Sequence, residues 1–346
     1  MKEYTDYDLS GANTFRMKVR CARYIQYDNA KELESIDWDS LPRPVRHIGG
    51  GSNLLFTGDF PGTLLHSGIS YVKYVDMGFD DVPVMAGAGV RFDDFVENVC
   101  RNGLWGAENL SGIPGEVGAA AVQNIGAYGV EVKDIIKGVV CFDTRTRSMV
   151  RFQTCECDYG YRDSLFKHSD GRYIVTAVLF RVSRVHGPRL EYKGVRESLG
   201  LGPEDSGETL TPMQVREAVL SLRNSKLPDP DVLGSAGSYF KNPVVDAVAF
   251  ARVIDIARRE LGADVTVPHF ILGGGMVKIP AAWLIDRCGL KGAREGGAAV
   301  YERQPLVIVN ASGSATPSDV LALESRVIAG VKDRFGIELH PEVEQL

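Results

Sequence analysis

The residues that could do chemistry lie first in two glycine-rich stretches. Residues 112 to 129 read GIPGEVGAAAVQNIGAYG, with five glycines, four alanines and one proline. Glu116 is the only ionisable side chain there apart from the Tyr128 phenol. Glycine reaches positive φ and lets another backbone or a ligand come within contact distance. No ordinary core helix or strand has this composition. A tight small-residue connection inside a core is the plainer alternative, but it would bury Gln123 and Asn124 without evident partners. The stretch points instead to a cradle of peptide N–H groups for an anion, a diphosphate foremost. Residues 47 to 56, HIGGGSNLLF, make the same demand: three glycines, then Ser52 and Asn53, then an apolar run. Neither GK[ST] nor GxGxxG spacing is present. The AGAGV run at 86 to 90 also lacks dinucleotide spacing. Three such segments predict one large phosphate-bearing cofactor lying across several loops.

The elements that must position these loops can be placed from pattern. Residues 13 to 26 alternate like a strand, and Asp28 to Asp37 can form a short helix. Val45 to Ile48 fits a strand, Thr63 to Asp76 one or two strands, and Val82 to Val90 another. Phe92 to Asn102 places Phe92, Phe95, Val96 and Val99 on one helical face, with Gly103 ending it. Val132 to Phe142 and Ser148 to Phe152 read as a hairpin, and Tyr173 to Val182 as a strand. Residues 183 to 212 are polar and irregular, as a linker or surface excursion would be. Helices are expected over Thr211 to Asn224, Phe250 to Leu261, Ala281 to Cys288 and Ser318 to Phe335, the last capped by Ser318. Leu306 to Asn310 is a buried strand.

The chain has 346 residues, 44% hydrophobic and 24% charged, which suits a soluble globular protein of two or three domains. The net charge of −6 and the lack of basic runs argue against nucleic acid and anionic membrane as partners. No apolar run approaches a membrane span and no signal peptide is visible, so the cytoplasm is expected. The six cysteines are scattered, and Cys155-Glu156-Cys157 would set two thiols on one face of a strand. No zinc spacing stands near them, so no metal site is expected.

IGGGSNLLF, GIPGEVGAAAVQNIGAYGVEV, YGYRDSLFK, KLPDP, AGSYFKNPVV, AAWLIDRCGLKG and GIELHPEV occur in one order. Together they resemble the UDP-N-acetylenolpyruvoylglucosamine reductase family, also called UDP-N-acetylmuramate dehydrogenases, from Asn13 to Val343. The resemblance implies an α+β protein: a two-subdomain FAD-binding fold of the vanillyl-alcohol-oxidase (PCMH) type, followed by an α+β substrate-binding domain. The subdomains would span residues 1–73 and 74–185, a tyrosine loop and linker 186–225, and the substrate domain 226–346. It implies NADPH-dependent reduction of UDP-N-acetylglucosamine enolpyruvate to UDP-N-acetylmuramate through FAD, in peptidoglycan precursor synthesis. The partner would be this small nucleotide-sugar substrate, with no obligate protein partner evident. Where the family continues PEVR and an apolar-glycine pair, this chain reads PEVEQL. The missing arginine and glycine remove groups expected to anchor that segment.

The resemblance assigns roles residue by residue. Gly49, Gly50, Gly51, Ser52, Asn53, Leu54, Ile113, Pro114, Gly115, Gly118, Ala119, Asn124, Gly126 and Ala127 would bind the cofactor. Arg162 would hold the substrate carboxylate with a charge it cannot lose. A surface ion pair with Asp163 is its plainer alternative. Ser238 matches the proton donor, and Glu342 the acid that stabilises the enol, which needs a raised pKa to donate. Tyr128, Tyr161, Tyr192, Lys226, Asn242, Lys278 and Gln304 would contact substrate.

Overall fold

A computed structural model describes residues 1–75 and 78–346. Asp76, the expected end of one strand region, lies outside the described residues. The chain divides into two compact units, and it does so discontinuously. The first holds residues 1–8, 20–51 and 59–225; the second holds 9–19, 52–58 and 226–346.

Among the described residues, the two larger sheets of the first unit have four and five strands. In one, the strand Arg20–Tyr27 lies between Lys2–Asp8, antiparallel, and Phe60–Ser67, parallel, with Val45–Ile48 parallel on the far side of Phe60–Ser67. The N-terminal strand escapes sequence pattern because six of its seven residues are exposed and none is an aliphatic residue. The other sheet is antiparallel, in the order Ser148–Gln153, Ile136–Asp143, Tyr173–Ser183, Asp81–Gly87, Val72–Tyr74. The helix Phe92–Arg101 buries its expected face, and Phe95 stacks on Phe180 with ring centroids 4.3 Å apart.

Cys155 and Cys157 do not share a strand face. A short 3-10 turn over Thr154–Glu156 leaves Cys155 exposed and Cys157 buried. Residues 183 to 212 are not merely a surface excursion either. They fold into a short helix, Val195–Ser198, and bury Leu190 and Val195. The Arg196 guanidinium binds the carbonyls of Gly202, Pro203 and Asp205, which gives the polar segment its own framework.

The second unit has two three-stranded antiparallel sheets, 244–246 with 276–278 and 270–271, and 294–295 with 298–300 and 308–310. Its long helices are Ala247–Leu261 and Pro317–Phe335. The cap of the latter is Thr316, not Ser318: its hydroxyl accepts from the Asp319 N–H and the Asp319 carboxylate reaches back to the Thr316 N–H. Pro317 sits at the first helical position, where a missing N–H costs nothing. The segment expected to lack an anchor is paired instead. Glu344–Gln345 runs parallel to Leu54–Leu55, and the Thr57 N–H donates to the Leu346 carbonyl at 2.7 Å. Backbone pairing needs neither arginine nor glycine. Among the described residues no helix is long and apolar enough to cross a membrane.

Candidate active site

The cradle stretch contains an α-helix, Val117–Gln123, against the expectation from its composition. Three alanines supply propensity, while Gly118 answers a steric demand: a Cβ there would lie 2.8 Å from the Ala88 Cβ. The helix thus packs against the AGAGV run, and Gly118 is required by protein, not by ligand space. Gly49 and Gly50 behave differently. A Cβ on Gly49 would lie 2.9 Å from the Ala119 Cβ, whereas one on Gly50 would meet nothing nearer than 3.7 Å. The two glycine loops therefore approach one another closely, and both contain positive φ, at Gly51 (67°) and Gly115 (106°). Turns of this kind aim successive N–H groups into one concavity. The Glu116 carboxylate beside Gly49 and Gly50 is met by the His66 imidazole at 2.8 Å. The closely approaching glycine turns fit a phosphate-bearing group.

Gln123 and Asn124 do have protein partners. Lys167 Nζ donates to Gln123 Oε1 at 2.9 Å. Asn124 donates to the Gly160 carbonyl at 2.7 Å and accepts from the Lys133 N–H at 3.2 Å. The case against a plain core connection therefore falls for these two side chains, and the cradle reading stands on the glycine geometry alone.

Arg162 lies against this element. Its guanidinium donates to the carbonyls of Gly126 at 2.6 Å and Asn124 at 3.3 Å, and sits 5.2 Å from the centre of the Tyr161 ring. A Cβ on Gly126 would lie 2.8 Å from the Val130 carbonyl oxygen and 3.0 Å from Arg162 Nη1, so that glycine makes room for both the hairpin and the arginine. Asp163 bonds His168 at 2.7 Å. Gly126–Ala127 and Val130–Glu131 form a minute hairpin whose two turn residues, Tyr128 and Gly129, both have positive φ (48° and 82°). Such turns favour Asn-Gly, so Tyr128 is held there against its preference. Asn124 (44°) and Arg162 (55°) share the left-handed region. Each non-glycine residue so held costs of order 1–3 kcal/mol, a pattern that gathers at functional sites. Tyr192, 41% exposed, meets Tyr128 edge to face at 5.2 Å. The buried Asn109 side chain donates to the carbonyls of Tyr128 and Arg189, both at 2.9 Å, tying the tyrosine loop to the hairpin.

In the second unit, Ser238 follows Gly237 at φ 68° and precedes the fully buried Tyr239. The Glu342 N–H donates to the Tyr239 carbonyl at 2.8 Å, and Phe240 bridges Pro341. Glu342 is thus brought beside the segment that carries Ser238. The Asn53 amide donates to the Glu342 carbonyl at 3.2 Å. Asn242 accepts from the Ala281 N–H at 2.9 Å, starting the helix Ala281–Arg287. Lys278 lies on the strand Met276–Lys278, 5.2 Å above the Phe270 ring. Lys226 is exposed, and Gln304 half-buried in a turn closed by Val307.

Residues 37–151 match the FAD binding domain family, and residues 229–346 match the family described as UDP-N-acetylenolpyruvoylglucosamine reductase, C-terminal domain. The chain is 45% identical over 341 residues to a UDP-N-acetylenolpyruvoylglucosamine reductase of Chromobacterium violaceum, covering 97% of each chain. It is likewise 45% identical to one of Bacteroides fragilis, over 97% of this chain and 98% of that one. This chain belongs to the UDP-N-acetylenolpyruvoylglucosamine reductase family. The crystal structure of the Thermus caldophilus reductase has the same fold, with a TM-score of 0.66 at 23% identity over 99% of this chain and 98% of that one.

A UDP-N-acetylenolpyruvoylglucosamine reductase is an FAD-dependent oxidoreductase, and this chain has the α+β fold of one. Several residues beside the glycine-rich stretches escaped sequence reasoning. The His66–Glu116 pair joins positions fifty residues apart, with no local motif to reveal it. His47, whose ring bonds the Tyr27 hydroxyl at 2.8 Å, has its pKa lowered to about 3 by burial and by nearby His66. Arg223 lies against Gly112, with burial lowering its pKa and with Tyr128 and Asp93 nearby. Its position three residues before Lys226 was the available signal.

Proposed function

We propose that this reductase divides its chemistry among Arg162, Ser238 and Glu342. The reaction is NADPH-dependent reduction of UDP-N-acetylglucosamine enolpyruvate to UDP-N-acetylmuramate, in peptidoglycan precursor synthesis. Residues 1–73 and 74–185 serve as the FAD-binding subdomains, with the strand Val72–Tyr74 at their boundary, and 226–346 as the substrate domain. Gly49 to Leu54, Ile113 to Gly115, Ala119, and the backbone of Asn124, Gly126 and Ala127 hold FAD, with Gly118 supporting them through Ala88. FAD, when bound, carries hydride from NADPH to the enolpyruvyl methylene carbon.

Hydride arrival leaves carbanion character on the adjacent carbon, delocalised into the carboxylate. Arg162 offers that carboxylate a permanent charge, placed by its bonds to two carbonyls. Ser238 supplies the proton to carbon, and Glu342 stabilises the enol form. Tyr128, Tyr161, Tyr192, Lys226, Asn242, Lys278 and Gln304 hold the sugar nucleotide. Asn242 does so through its amide nitrogen, since its oxygen serves Ala281. The reaction takes place in the cytoplasm, in keeping with six free thiols, and needs no obligate protein partner.

The observation that carries this division is the 2.8 Å bond from the Glu342 N–H to the residue following Ser238. It supports the reading by bringing the Glu342 backbone beside the segment that carries Ser238. Ser238→Ala tests it by stopped-flow flavin absorbance. Reoxidation by the enolpyruvyl sugar should slow about 10²- to 10⁴-fold, the usual worth of general acid catalysis, while reduction by NADPH stays near normal. Equal slowing of both half-reactions, or none of either, refutes the assignment.

A further inference from the structure

Glu324, on the helix Pro317–Phe335, accepts two hydrogen bonds at one carboxylate oxygen. One comes from the Tyr239 hydroxyl at 2.6 Å, the other from the Gln345 side-chain amide at 2.8 Å. These donors belong to two different arms. Tyr239 directly follows Ser238, and its carbonyl receives the Glu342 N–H. Gln345 lies in the strand paired with Leu54–Leu55, three residues beyond Glu342. That strand begins as the Glu344 N–H donates to the Asn53 carbonyl at 3.0 Å, while the Asn53 side chain holds the Glu342 carbonyl. Glu324 therefore closes a ring of hydrogen bonds through the backbone that carries both Ser238 and Glu342.

We propose that Glu324 is a positioning residue that fixes Ser238 relative to Glu342, acting through Tyr239 on one side and Gln345 on the other. The proposal rests on the roles assigned above to those two residues. The Tyr239 ring is fully buried and packs edge-on against Phe15 and Phe240, so its hydroxyl has few ways to find another acceptor. Burial and the adjacent Glu324 carboxylate raise the phenol pKa, which keeps it a donor. Removing the carboxylate takes away the hydroxyl's acceptor and leaves it the Gln345 amide alone. Tyr239 and Gln345 then settle around the lost acceptor, and the Tyr239 backbone is the link between the two arms. A displacement of about 1 Å can cost on the order of 10²-fold in rate.

The test uses the full-length holoenzyme and reads flavin absorbance in each half-reaction, with flavin content and Tm alongside. Glu324→Leu and Tyr239→Phe should slow reoxidation by the enolpyruvyl sugar about 10- to 100-fold. KM and reduction by NADPH should stay near wild type. Glu324→Gln should recover most of the rate, because one amide oxygen can accept both bonds. If Glu324→Leu does not fold, Tyr239→Phe removes the same bond with the loss of one oxygen atom. Equal slowing of both half-reactions, or a Gln variant as slow as the Leu variant, overturns the positioning role. Glu342→Gln separates the two layers. If it is slow while Glu324→Leu and Tyr239→Phe run at the wild-type rate, only the positioning proposal fails. If it runs at the wild-type rate, the role of Glu342 fails and the proposal with it.

Discussion

Gly50 and Gly118 sit in stretches of similar composition, yet their substitution by alanine should have opposite signatures. At Gly50 an added methyl would meet nothing nearer than 3.7 Å, and its φ is not positive. The folded state accepts it without strain. Replacing glycine at a compatible position stabilises by about 0.4–1 kcal/mol through the unfolded chain. The apoprotein of Gly50→Ala should therefore unfold at or slightly above the wild-type temperature. On the proposed cofactor reading the methyl enters the space that the FAD diphosphate would take, so FAD affinity should fall at least about tenfold, or about 1.4 kcal/mol. At Gly118 the methyl would lie 2.8 Å from the Ala88 Cβ and 3.3 Å from its carbonyl oxygen. Overpacking of this kind costs about 1–3 kcal/mol. At about 2–4 °C per kcal/mol for a domain of this size, the apoprotein Tm should drop by about 2–12 °C. Circular dichroism melts of the two apoproteins and flavin fluorescence titrations measure both quantities. Wild-type FAD affinity in Gly50→Ala would refute the cradle at residues 49–51. Lost FAD with an unchanged apoprotein melt in Gly118→Ala would refute the Ala88 contact as the reason for that glycine.

Tyr192→Ala should raise the substrate KM roughly two- to tenfold, the worth of one aromatic pair, with NADPH reduction unchanged. Tyr192→Phe, which keeps the ring edge on Tyr128, should rise less, and equal KM values in the two variants would discount the contact. Deleting the loop outright would be a poorer probe, because Leu190 and Val195 are part of the core. His47 gives the fold a pH dependence of definite sign. Between about pH 6.5 and about 3 the unfolded chain binds a proton that folded His47 does not, so stability is full above 6.5 and falls as the pH drops. His47→Gln should flatten that slope by up to about 1.4 kcal/mol per pH unit in urea melts, and an unaltered slope would count against the burial of a neutral ring.

Legibility from sequence followed how local the causes were. The strand Val45–Ile48 announces itself by the glycine run that follows it, and the helix Phe92–Arg101 by the one face it buries. The strand Lys2–Asp8 does not, since an exposed edge imposes no alternation. The helix Val117–Gln123 hides behind glycines that serve its packing on Ala88. In the site, Arg162, Ser238 and Glu342 were readable only through family motifs. The pairs His66 with Glu116 and Tyr239 with Glu324 join residues 50 and 85 positions apart and leave no mark in either neighbourhood.

The discontinuous make-up of the second unit has a consequence during synthesis. Segments 9–19 and 52–58 leave the ribosome early, but their partners do not. The Thr14 carbonyl waits for the Ser235 N–H, and Leu54–Leu55 waits for Glu344–Gln345. The Thr57–Leu346 contact spans 289 residues. At about 5–20 residues per second, that leaves Leu54 and Leu55, both buried in the finished fold, without their strand partner for roughly 15–60 s. The unit cannot be completed co-translationally from its N-terminal pieces. Chaperone demand should therefore concentrate on these two short segments, and stalling translation shortly before residue 344 should trap chains in which residues 52–58 are still open to protease.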